Sequence, residues 1–302
     1  MRYSWLVFLL VQATSAVGEI RVQDDFGYEV KLSSAAQRIV SLAPHITELV
    51  FASGAGQKLV ATVSYSDFPE AAKLVPRIGT NKQLSYESLL AMNPDLVLAW
   101  RSGNGEEVAT RLRSLGINVH ESEMATLDDV GRTLRVYGTL SGHPQQAALK
   151  AQAFLDKLEK LRLRYSHQVP VSIYYQIWNE PLLTLNDKHI ISDVMRLCGG
   201  RNIFAESVAL VSRISVETVI RKDPQVIIAS GMDQARPEWL DDWRQWSSMK
   251  AVAQDQLYFV PPELLQRHTL RIMQGAEMVC SYLDRARKHY GENNKGTHQD
   301  QR

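Results

Sequence analysis

The 302-residue sequence lacks an excess of charge of either sign, since 34 Lys and Arg residues balance 33 Asp and Glu residues for a net charge of +1. It also lacks a basic run, so it offers no electrostatic surface for nucleic acid phosphates or for an anionic membrane. A G-x-x-x-x-G-K phosphate loop and a G-x-S-x-G nucleophile motif are both missing. These absences argue against nucleic-acid binding and against two common classes of enzyme.

Long hydrophobic runs are missing as well. The one extended run, residues 5–11, is far shorter than the roughly 20 residues of a membrane-spanning helix. Arg2 precedes this run and small residues follow it at 14–16, which is the pattern of a secretory signal. We predict a signal peptide at residues 1–16, cleaved after Ala16 or, as a second choice, after Gly18. An uncleaved N-terminal strand is the alternative.

Cysteine is scarce. Cys198 and Cys280 both fall in the second half of the chain, and two thiols are too few for a structural zinc site of four ligands. In an exported protein, an even pair within one domain favours a disulfide. Two separate buried thiols are the alternative.

One phrase occurs twice, as LSYESLLAMNPDLVLA at residues 84–99 and as ISVETVIRKDPQVIIA at residues 214–229. Each copy begins with a serine suited to cap a helix, carries a glutamate in the first turn, and turns at a proline before an apolar run. Each copy is therefore predicted to be a helix, a turn and a buried strand. A repeat of this length is too long for a solenoid unit and indicates two similarly built lobes.

The two glutamates of the repeat, Glu87 and Glu217, have two interpretations. They could simply stabilise the starts of their helices. Alternatively, two equivalent carboxylates on two lobes could form a paired docking surface.

Strands alternate with short helices in both halves, which predicts α/β lobes with mainly parallel sheets. Between them, apolar residues recur at helical spacing from Ala147 to Tyr165, which favours one long helix of roughly 35 Å rather than a short coiled coil. The predicted organisation is an N-terminal lobe (20–142), a linking helix (143–168), a C-terminal lobe (169–290) and a polar, disordered tail (291–302).

Six segments carry a family resemblance over residues 20–288. They are RIVSLAPHITELVFASGAG (38–56), SYSDFP (64–69), LSYESLLAMNPDLVLAWRSGN (84–104), LCGGRNIF (197–204), ISVETVIRKDPQVII (214–228) and RIMQGAEMVC (271–280). The chain resembles the periplasmic substrate-binding proteins of ABC importers for cobalamin, haem and iron–siderophore complexes. Within this family, it is most similar to the cobalamin-binding members.

The resemblance implies a class III fold, with two lobes joined by one rigid helix, in a monomer of the periplasm. It implies a corrinoid carried in the cleft between the lobes as transported ligand, with no resident cofactor, no metal and no catalytic residue. It also implies that Cys198 pairs with Cys280, and that Glu87 and Glu217 meet arginine pockets on the two permease subunits of an importer.

The resemblance also names ligand contacts. Tyr65 and Trp100 match ligand-contacting aromatics, Arg267 matches a polar contact, and Glu263 replaces an aspartate. Asn81 and Val211 stand where cobalamin-binding members have tryptophans. We expect Trp178 and Tyr175, at the end of the first strand of the second lobe, to be candidates for the missing aromatic contacts.

Three alternatives stay open at this point. A haem or ferric-siderophore carrier would call for several basic cleft residues, and the candidates are Arg267, Arg101 and Arg213. A metal-ion carrier or an enzyme would need ligands or catalytic groups beyond His45 and Glu48, which lie three residues apart on one predicted helix. Each aromatic residue could also be an ordinary core or rim residue.

Overall fold

A computed structural model describes residues 18–231 and 235–296 of the chain. The predicted signal peptide lies outside the described residues, as do residues 297–302. No helix within the described ranges is both long enough and apolar enough to cross a membrane.

The first lobe is built on a four-stranded parallel sheet in the order β4-β3-β5-β6. Its strands are β1 (Ile20–Gln23), β2 (Glu29–Leu32), β3 (Ile39–Ser41), β4 (Leu59–Ala61), β5 (Leu96–Trp100) and β6 (Val119–Ser122). Its helices are α1 (Pro44–Ser53), α2 (Tyr86–Ala91), α3 (Arg101–Asn104), α4 (Glu106–Ser114) and α5 (Leu127–Ser141), with 3₁₀ helices at Gly56–Lys58 and Glu70–Leu74. The β1 and β2 strands form the antiparallel hairpin predicted for residues 20–32.

The second lobe repeats this plan with a parallel sheet in the order β12-β11-β7-β9. Its strands are β7 (Val171–Gln176), β8 (Leu183–Leu185), β9 (Gly200–Asn202), β10 (Val211–Arg213), β11 (Val226–Ala229) and β12 (Leu257–Phe259). Its helices are α7 (Ile190–Leu197), α8 (Val216–Lys222), α9 (Lys250–Ala253), α10 (Pro262–Leu265) and α11 (Ile272–Gly296), with a 3₁₀ helix at Glu238–Gln245. The β8 and β10 strands form a separate antiparallel pair.

A single helix, α6 (Pro144–Tyr165), connects the lobes. Pro144 occupies the first turn, where its missing N–H costs nothing. The predicted apolar stripe faces the core: Ala147, Phe154 and Leu158 are buried, in one hydrophobic cluster that continues from the first sheet to the second. Because the helix shares its core with both lobes, it makes a stiff connection, as the sequence predicted. The predicted domain limits themselves stay predictions.

The two copies of the sequence repeat fold alike. Ser85 Oγ accepts a hydrogen bond from the N–H of Ser88 at 3.2 Å, and Ser215 Oγ accepts one from the N–H of Thr218 at 3.3 Å. The helices α2 and α8 that start there each bury one apolar side chain completely, Leu89 and Val219. The strand that follows is β5 in one lobe and β11 in the other, and β5 is buried up to its last residue. The repeat therefore marks equivalent places on two lobes.

Two elements differ from the sequence prediction. Helix α5 was not predicted, although Thr126 and Asp129 form a capping box at its start and Gly142 caps its end with a φ of 79°. Helix α11 continues through Gly296, so residues 291–296 are helical rather than part of a disordered tail. Its polar last turns carry none of the apolar periodicity on which the sequence prediction depended.

The predicted disulfide is present. Cys198 follows α7, Cys280 lies within α11, and both are buried. The bond therefore ties the last long helix, α11, to the end of α7.

Replacing both cysteines by alanine should lower the free energy of unfolding by about 4 kcal/mol, because the bond closes a loop across a sequence separation of 82 residues. Urea unfolding of the oxidised parent, the reduced parent and the Cys198→Ala/Cys280→Ala variant measures this loss. The reduced parent should unfold like the variant. Equal midpoints for the variant and the oxidised parent would contradict the prediction.

Candidate functional site

The carboxyl ends of the two parallel sheets face each other across a cleft. Trp100, the last residue of β5, lies with its ring centroid 6.1 Å from that of His268, which follows α10 in the second lobe. Asp67, in the loop after β4, forms an ion pair with Arg267 of the second lobe. Open α/β sheets bind ligands at this edge, outside the carboxyl ends of their strands.

Tyr65 projects from the first lobe. Its side chain is 78% exposed, and its backbone has a φ of 65°, a conformation that non-glycine residues seldom adopt. Arg77 fixes the loop by donating to the carbonyl of Ser66 at 2.7 Å. A large ring held in a strained turn and turned towards water suits a ligand contact better than a core position.

A buried hydroxyl cluster supports this loop from below. Ser41, Thr47, Thr62 and Ser66 are completely buried, and their hydroxyls bond to one another, with Thr62 and Ser66 2.9 Å apart. The cluster joins β3, α1 and the Tyr65 loop through side chains that would otherwise be unsatisfied. Sequence reasoning missed it, because its members are distant in sequence and form no motif.

Trp100 is held by the residues that follow it. Its backbone N–H donates to Asn104 Oδ1 at 2.7 Å, and its indole Nε1 donates to Glu123 Oε1 at 3.2 Å. Asn104 is itself buried and donates to the carbonyls of Leu42 and Asn81, each at 2.9 Å. One asparagine therefore ties together three segments of the cleft wall, including the segment of Asn81, which the sequence analysis named as a ligand-contact position.

Gly103 lies under the Trp100 ring. A Cβ added at Gly103 would lie 1.8 Å from Trp100 Cε3, which is too close for any tolerated contact. The indole and the short helix α3 therefore fit together only because residue 103 has no side chain.

Gly103→Ala should displace the indole and weaken ligand binding at least tenfold, since the ring cannot keep its position. Intrinsic tryptophan fluorescence measures the displacement of the indole, and titration with a corrinoid measures the loss of affinity. Gly291→Ala is the matched control, because an added Cβ there meets no atom within 4 Å. Unchanged affinity in Gly103→Ala would show that the Trp100 ring position is not needed.

The second lobe contributes Arg267 and Glu263. Arg267 is mostly buried and forms an ion pair with Asp67 of the first lobe. Its positive charge is therefore already neutralised by a partner across the cleft. Glu263 lies in the first turn of α10, and its Oε2 is buried without a hydrogen-bond partner among the described residues. A buried carboxylate oxygen without a donor can accept one from a ligand.

Trp178 lies at the rim of the second lobe. It is half-buried, and its Nε1 donates to the carbonyl of Glu180 at 2.9 Å. It lines a cavity of about 580 Å³ together with Trp239 and Arg236. A larger cavity of about 650 Å³ lies near Tyr165 and Gly200, away from the carboxyl ends of the strands. Trp178 therefore stays a candidate for a missing aromatic contact, as predicted.

Tyr175 does not lie where the sequence placed it. Its side chain is fully buried and belongs to the hydrophobic cluster that continues through both lobes. Burial raises the pKa of its phenol well above the ordinary value. A ligand in the cleft cannot reach a ring that is closed off in this way, which corrects the prediction.

The other two basic residues predicted for the cleft are Arg101 and Arg213. The first is already paired with carboxylates, and the second is exposed on a short outer strand. Arg101 donates to both carboxylate oxygens of Glu121, at 2.7 and 2.9 Å, and also pairs with Glu106. Arg213 is exposed on the short strand β10 beside Val211, which is also exposed. The cleft therefore offers little free positive charge.

Three histidines form a row that the sequence did not reveal. His45 on α1, His268 after α10 and His189 at the start of α7 follow one another with ring centroids 5.5 Å apart at both steps. Trp100 packs edge-on against His45 at 5.0 Å. The described residues contain no group of three His, Cys, Asp or Glu side chains arranged to hold a metal ion. Glu48, considered beside His45 as a possible ligand, instead binds Arg271 at 2.8 Å.

Glu87 and Glu217 are both exposed near the starts of α2 and α8. Neither forms an ion pair with another described residue. A hydrogen bond from its own backbone N–H lowers the pKa of Glu217, which keeps the carboxylate charged. Two exposed carboxylates at equivalent positions of two lobes remain available for a partner.

Comparison with known proteins gives the family. Residues 39–264 match the family described as periplasmic binding protein. The chain belongs to this family. Its fold is the class III arrangement of two α/β lobes joined by one long helix, as the sequence indicated.

Two curated relatives are vitamin B12-binding proteins. The vitamin B12-binding protein of Vibrio cholerae is 37% identical over 254 residues, which cover 84% of this chain and 91% of that protein. The vitamin B12-binding protein of Yersinia pestis is 34% identical over 251 residues, which cover 83% and 88%. Both relatives are therefore named as binding proteins.

Solved structures agree on the fold. The periplasmic vitamin B12-binding protein BtuF of Vibrio cholerae matches with a TM-score of 0.78 and 36% identity, over 84% of this chain and 98% of that one. The periplasmic haem-binding protein RhuT of Roseiflexus matches with a TM-score of 0.71 over 83% of this chain and 100% of that one, at 22% identity. At that lower identity the likeness shows the fold alone.

Proposed function

We propose that this protein captures a corrinoid, cobalamin, in the cleft between its lobes and delivers it to an ABC importer. The observation that carries the proposal is the presence of two aromatic side chains at the carboxyl edge of the first sheet. Tyr65 is exposed, and Trp100 is held by hydrogen bonds to Asn104 and Glu123. The vitamin B12-binding relatives support the choice of ligand.

The chemistry of the cleft suits this ligand. A corrin ring is large and apolar on its faces, and its edge carries amide groups that donate and accept hydrogen bonds. Aromatic rings supply large contact areas with little loss of conformational entropy, and the unpartnered Oε2 of Glu263 accepts from an amide. The aromatic rings of the cleft therefore suit the apolar faces of the corrin, and the carboxylate of Glu263 suits its amide-bearing edge.

A haem or ferric-siderophore carrier fits less well. Haem carries propionate carboxylates and ferric catecholate complexes are anionic, and such ligands favour sites with unpaired arginine or lysine. Arg267 and Arg101 are already paired with Asp67 and Glu121. An anionic ligand would have to replace those partners.

The proposal includes export and docking. The signal at residues 1–16 directs the chain to the periplasm and is cleaved there. Glu87 and Glu217 then meet arginines on the two permease subunits, one glutamate for each lobe, and the mature protein acts as a monomer without catalysis of its own. Both glutamates are exposed and lie in the first turns of equivalent helices, which supports this arrangement.

The native ligand can be identified by isolating the protein from the periplasm of cells grown with cyanocobalamin. We expect a mass that corresponds to cleavage after Ala16 or Gly18 and about one cobalt per chain, with corrinoid absorbance. Growth with haemin or with a ferric siderophore in place of cyanocobalamin provides the comparison. If the isolated protein instead contains iron in stoichiometric amount and no cobalt, the native ligand is haem or a ferric siderophore and the corrinoid proposal is wrong.

A further inference from the structure

We propose that Arg271 of the second lobe is a positioning residue for Tyr65. It holds the loop at residues 64–69 of the first lobe, the Tyr65 loop, in its binding conformation before a ligand arrives. The inference rests on the proposed function where it predicts a change in corrinoid affinity. Its structural part, a loop of one lobe held by an arginine of the other, concerns the ligand-free protein.

Glu48 is the anchor of this contact. It lies on α1 of the first lobe and its carboxylate is buried. Both carboxylate oxygens accept from Arg271, with Nε to Oε1 and Nη2 to Oε2 each at 2.8 Å. Thr269, which is completely buried, donates its hydroxyl to Oε1 at 2.7 Å. This two-point pairing fixes the guanidinium, because breaking it would leave an uncompensated charge in a dry place.

The segment that carries Arg271 is itself ordered. The N–H of Thr269 donates to the carbonyl of Arg267 at 2.9 Å, and the hydroxyl of Thr269 accepts from the N–H of Arg271 at 3.2 Å. The N–H of Ile272, where α11 begins, donates to the carbonyl of Thr269 at 3.0 Å. These bonds close a compact turn before α11, so the Arg271 side chain starts from a fixed backbone.

The same guanidinium holds the Tyr65 loop. It lies over the ring of Phe68, with 4.0 Å between its central carbon and the ring centroid. Phe68 is exposed and belongs to none of the hydrophobic clusters of the described residues, so Arg271 is its principal support. The preceding residue, Asp67, pairs with Arg267. Two consecutive residues of the loop therefore contact two arginines of one segment in the other lobe.

Tyr65 needs this support. Its positive φ is a strained conformation for a residue with a side chain, and such a conformation persists only where the surroundings hold it. From the first lobe, Arg77 and the hydroxyl of Ser66 fix the residue that follows. From the second lobe, Arg267 and Arg271 fix the next two. The exposed ring adds little packing of its own, so its position depends on the order of the loop.

Arg271 supports the loop from the side away from the ligand contacts. Together with Glu48 and Phe68 it lines a cavity of about 260 Å³ that extends to the connecting helix α6. Tyr65 does not line this cavity. The arginine is thus placed to act on the ligand through the loop.

A loop that is ordered in advance raises affinity. When only a fraction of the free protein has the binding conformation, the apparent dissociation constant rises by the inverse of that fraction. If release from the second lobe lowers this fraction to about a tenth, affinity falls about tenfold. The ligand contacts of the Tyr65 ring themselves stay the same.

Arg271→Lys tests the proposal, because an ammonium keeps the charge beside Glu48 but cannot form the planar fork and the stack together. Arg113→Lys is the matched control. Arg113 also pairs with a buried carboxylate, Glu121, at 2.9 Å and lies 3.9 Å from the centroid of the Tyr28 ring, but all within the first lobe. The two arginine side chains are 18% and 20% exposed, so the replacements are alike in burial.

The first measurement is isothermal titration with cyanocobalamin. We expect binding about tenfold weaker in Arg271→Lys and parent affinity in Arg113→Lys. Urea unfolding of both variants separates this loss of affinity from a loss of stability. Phe68→Ala is the second test variant, because it removes the stacked ring and leaves the pair between Arg271 and Glu48 intact. It should also bind about tenfold more weakly.

The second measurement needs no ligand. A nitroxide label on Tyr65→Cys reports the mobility of the loop on the nanosecond timescale, and the two native cysteines do not compete for the label because they are bonded to each other. We expect the electron paramagnetic resonance spectrum to show a more mobile label in the Arg271→Lys and Phe68→Ala backgrounds. The Arg113→Lys background should give the spectrum of the labelled parent.

The two measurements separate the possible failures. Unchanged label mobility in both Arg271→Lys and Phe68→Ala would overturn the proposal, and so would parent affinity for cyanocobalamin in both. Increased mobility in a protein whose parent binds no cyanocobalamin would reject the proposed ligand and support the positioning role. If Arg271→Lys does not fold, Phe68→Ala decides by the same two readouts.

Discussion

Uptake of cyanocobalamin should fall to background when Glu87 and Glu217 are both changed to alanine, while ligand affinity and folding stay unchanged. Each glutamate is exposed and free of ion pairs in the described structure, so its loss breaks no salt bridge and removes at most the local hydrogen bonds of Glu217 at the start of α8. In a docked complex, each lost charge-assisted pair would weaken the contact by about 30-fold or more. The measurement is uptake of labelled cyanocobalamin by cells that depend on this protein.

The matched control is Glu107→Ala with Glu277→Ala, two exposed helical glutamates, one on each lobe, that also lack ion pairs. This control should support normal uptake. If the repeated glutamates only stabilise helix starts, Glu87→Ala/Glu217→Ala would show slightly lower stability and normal uptake. Loss of ligand binding in that double variant would instead place the glutamates in the cleft.

Trp100→Ala should weaken cyanocobalamin binding by about 30-fold, because removal of a large aromatic contact costs about 2 kcal/mol. Tyr65→Ala should add to this loss, since Tyr65 lies in the loop after β4 and Trp100 ends β5, so the two rings belong to separate segments. Isothermal titration of each single variant and of the double variant measures the affinity lost with each ring and with both rings together.

Trp100→Phe and Tyr28→Ala serve as controls. The first keeps a ring at the end of β5, and the second removes an exposed aromatic of the N-terminal hairpin that packs against Arg113. Trp100→Phe should lose less than Trp100→Ala, and Tyr28→Ala should bind normally. Parent-like binding by both Trp100→Ala and Tyr65→Ala would show that the ligand lies elsewhere.

Much of the fold could be predicted from local signals. The repeat around Glu87 and Glu217 indicated two lobes, because a cap, an acidic first turn and a buried strand leave a clear local pattern. The stripe from Ala147 to Tyr165 indicated the connecting helix for the same reason. The cysteine pair followed from the exported context and the even count.

The parts of the site that depend on long-range contacts could not be predicted. Ser41 and Ser66 are 25 positions apart in sequence yet bond into one hydroxyl cluster. His45 and His268 come together only because the two lobes face each other. Tyr175 was assigned to the cleft because it lies near the end of a strand, but its side chain is buried in the hydrophobic core, and the position of a residue along a strand does not show what its side chain packs against.

The most direct test of the account is an isothermal titration of the purified mature protein with cyanocobalamin at pH 7.5, with haemin as competitor. We predict one cyanocobalamin per chain with a dissociation constant of about 1 μM or lower, which corresponds to at least about 8 kcal/mol of binding free energy. Haemin in excess should leave that binding intact. Absence of cyanocobalamin binding, or its complete displacement by stoichiometric haemin, would contradict the account.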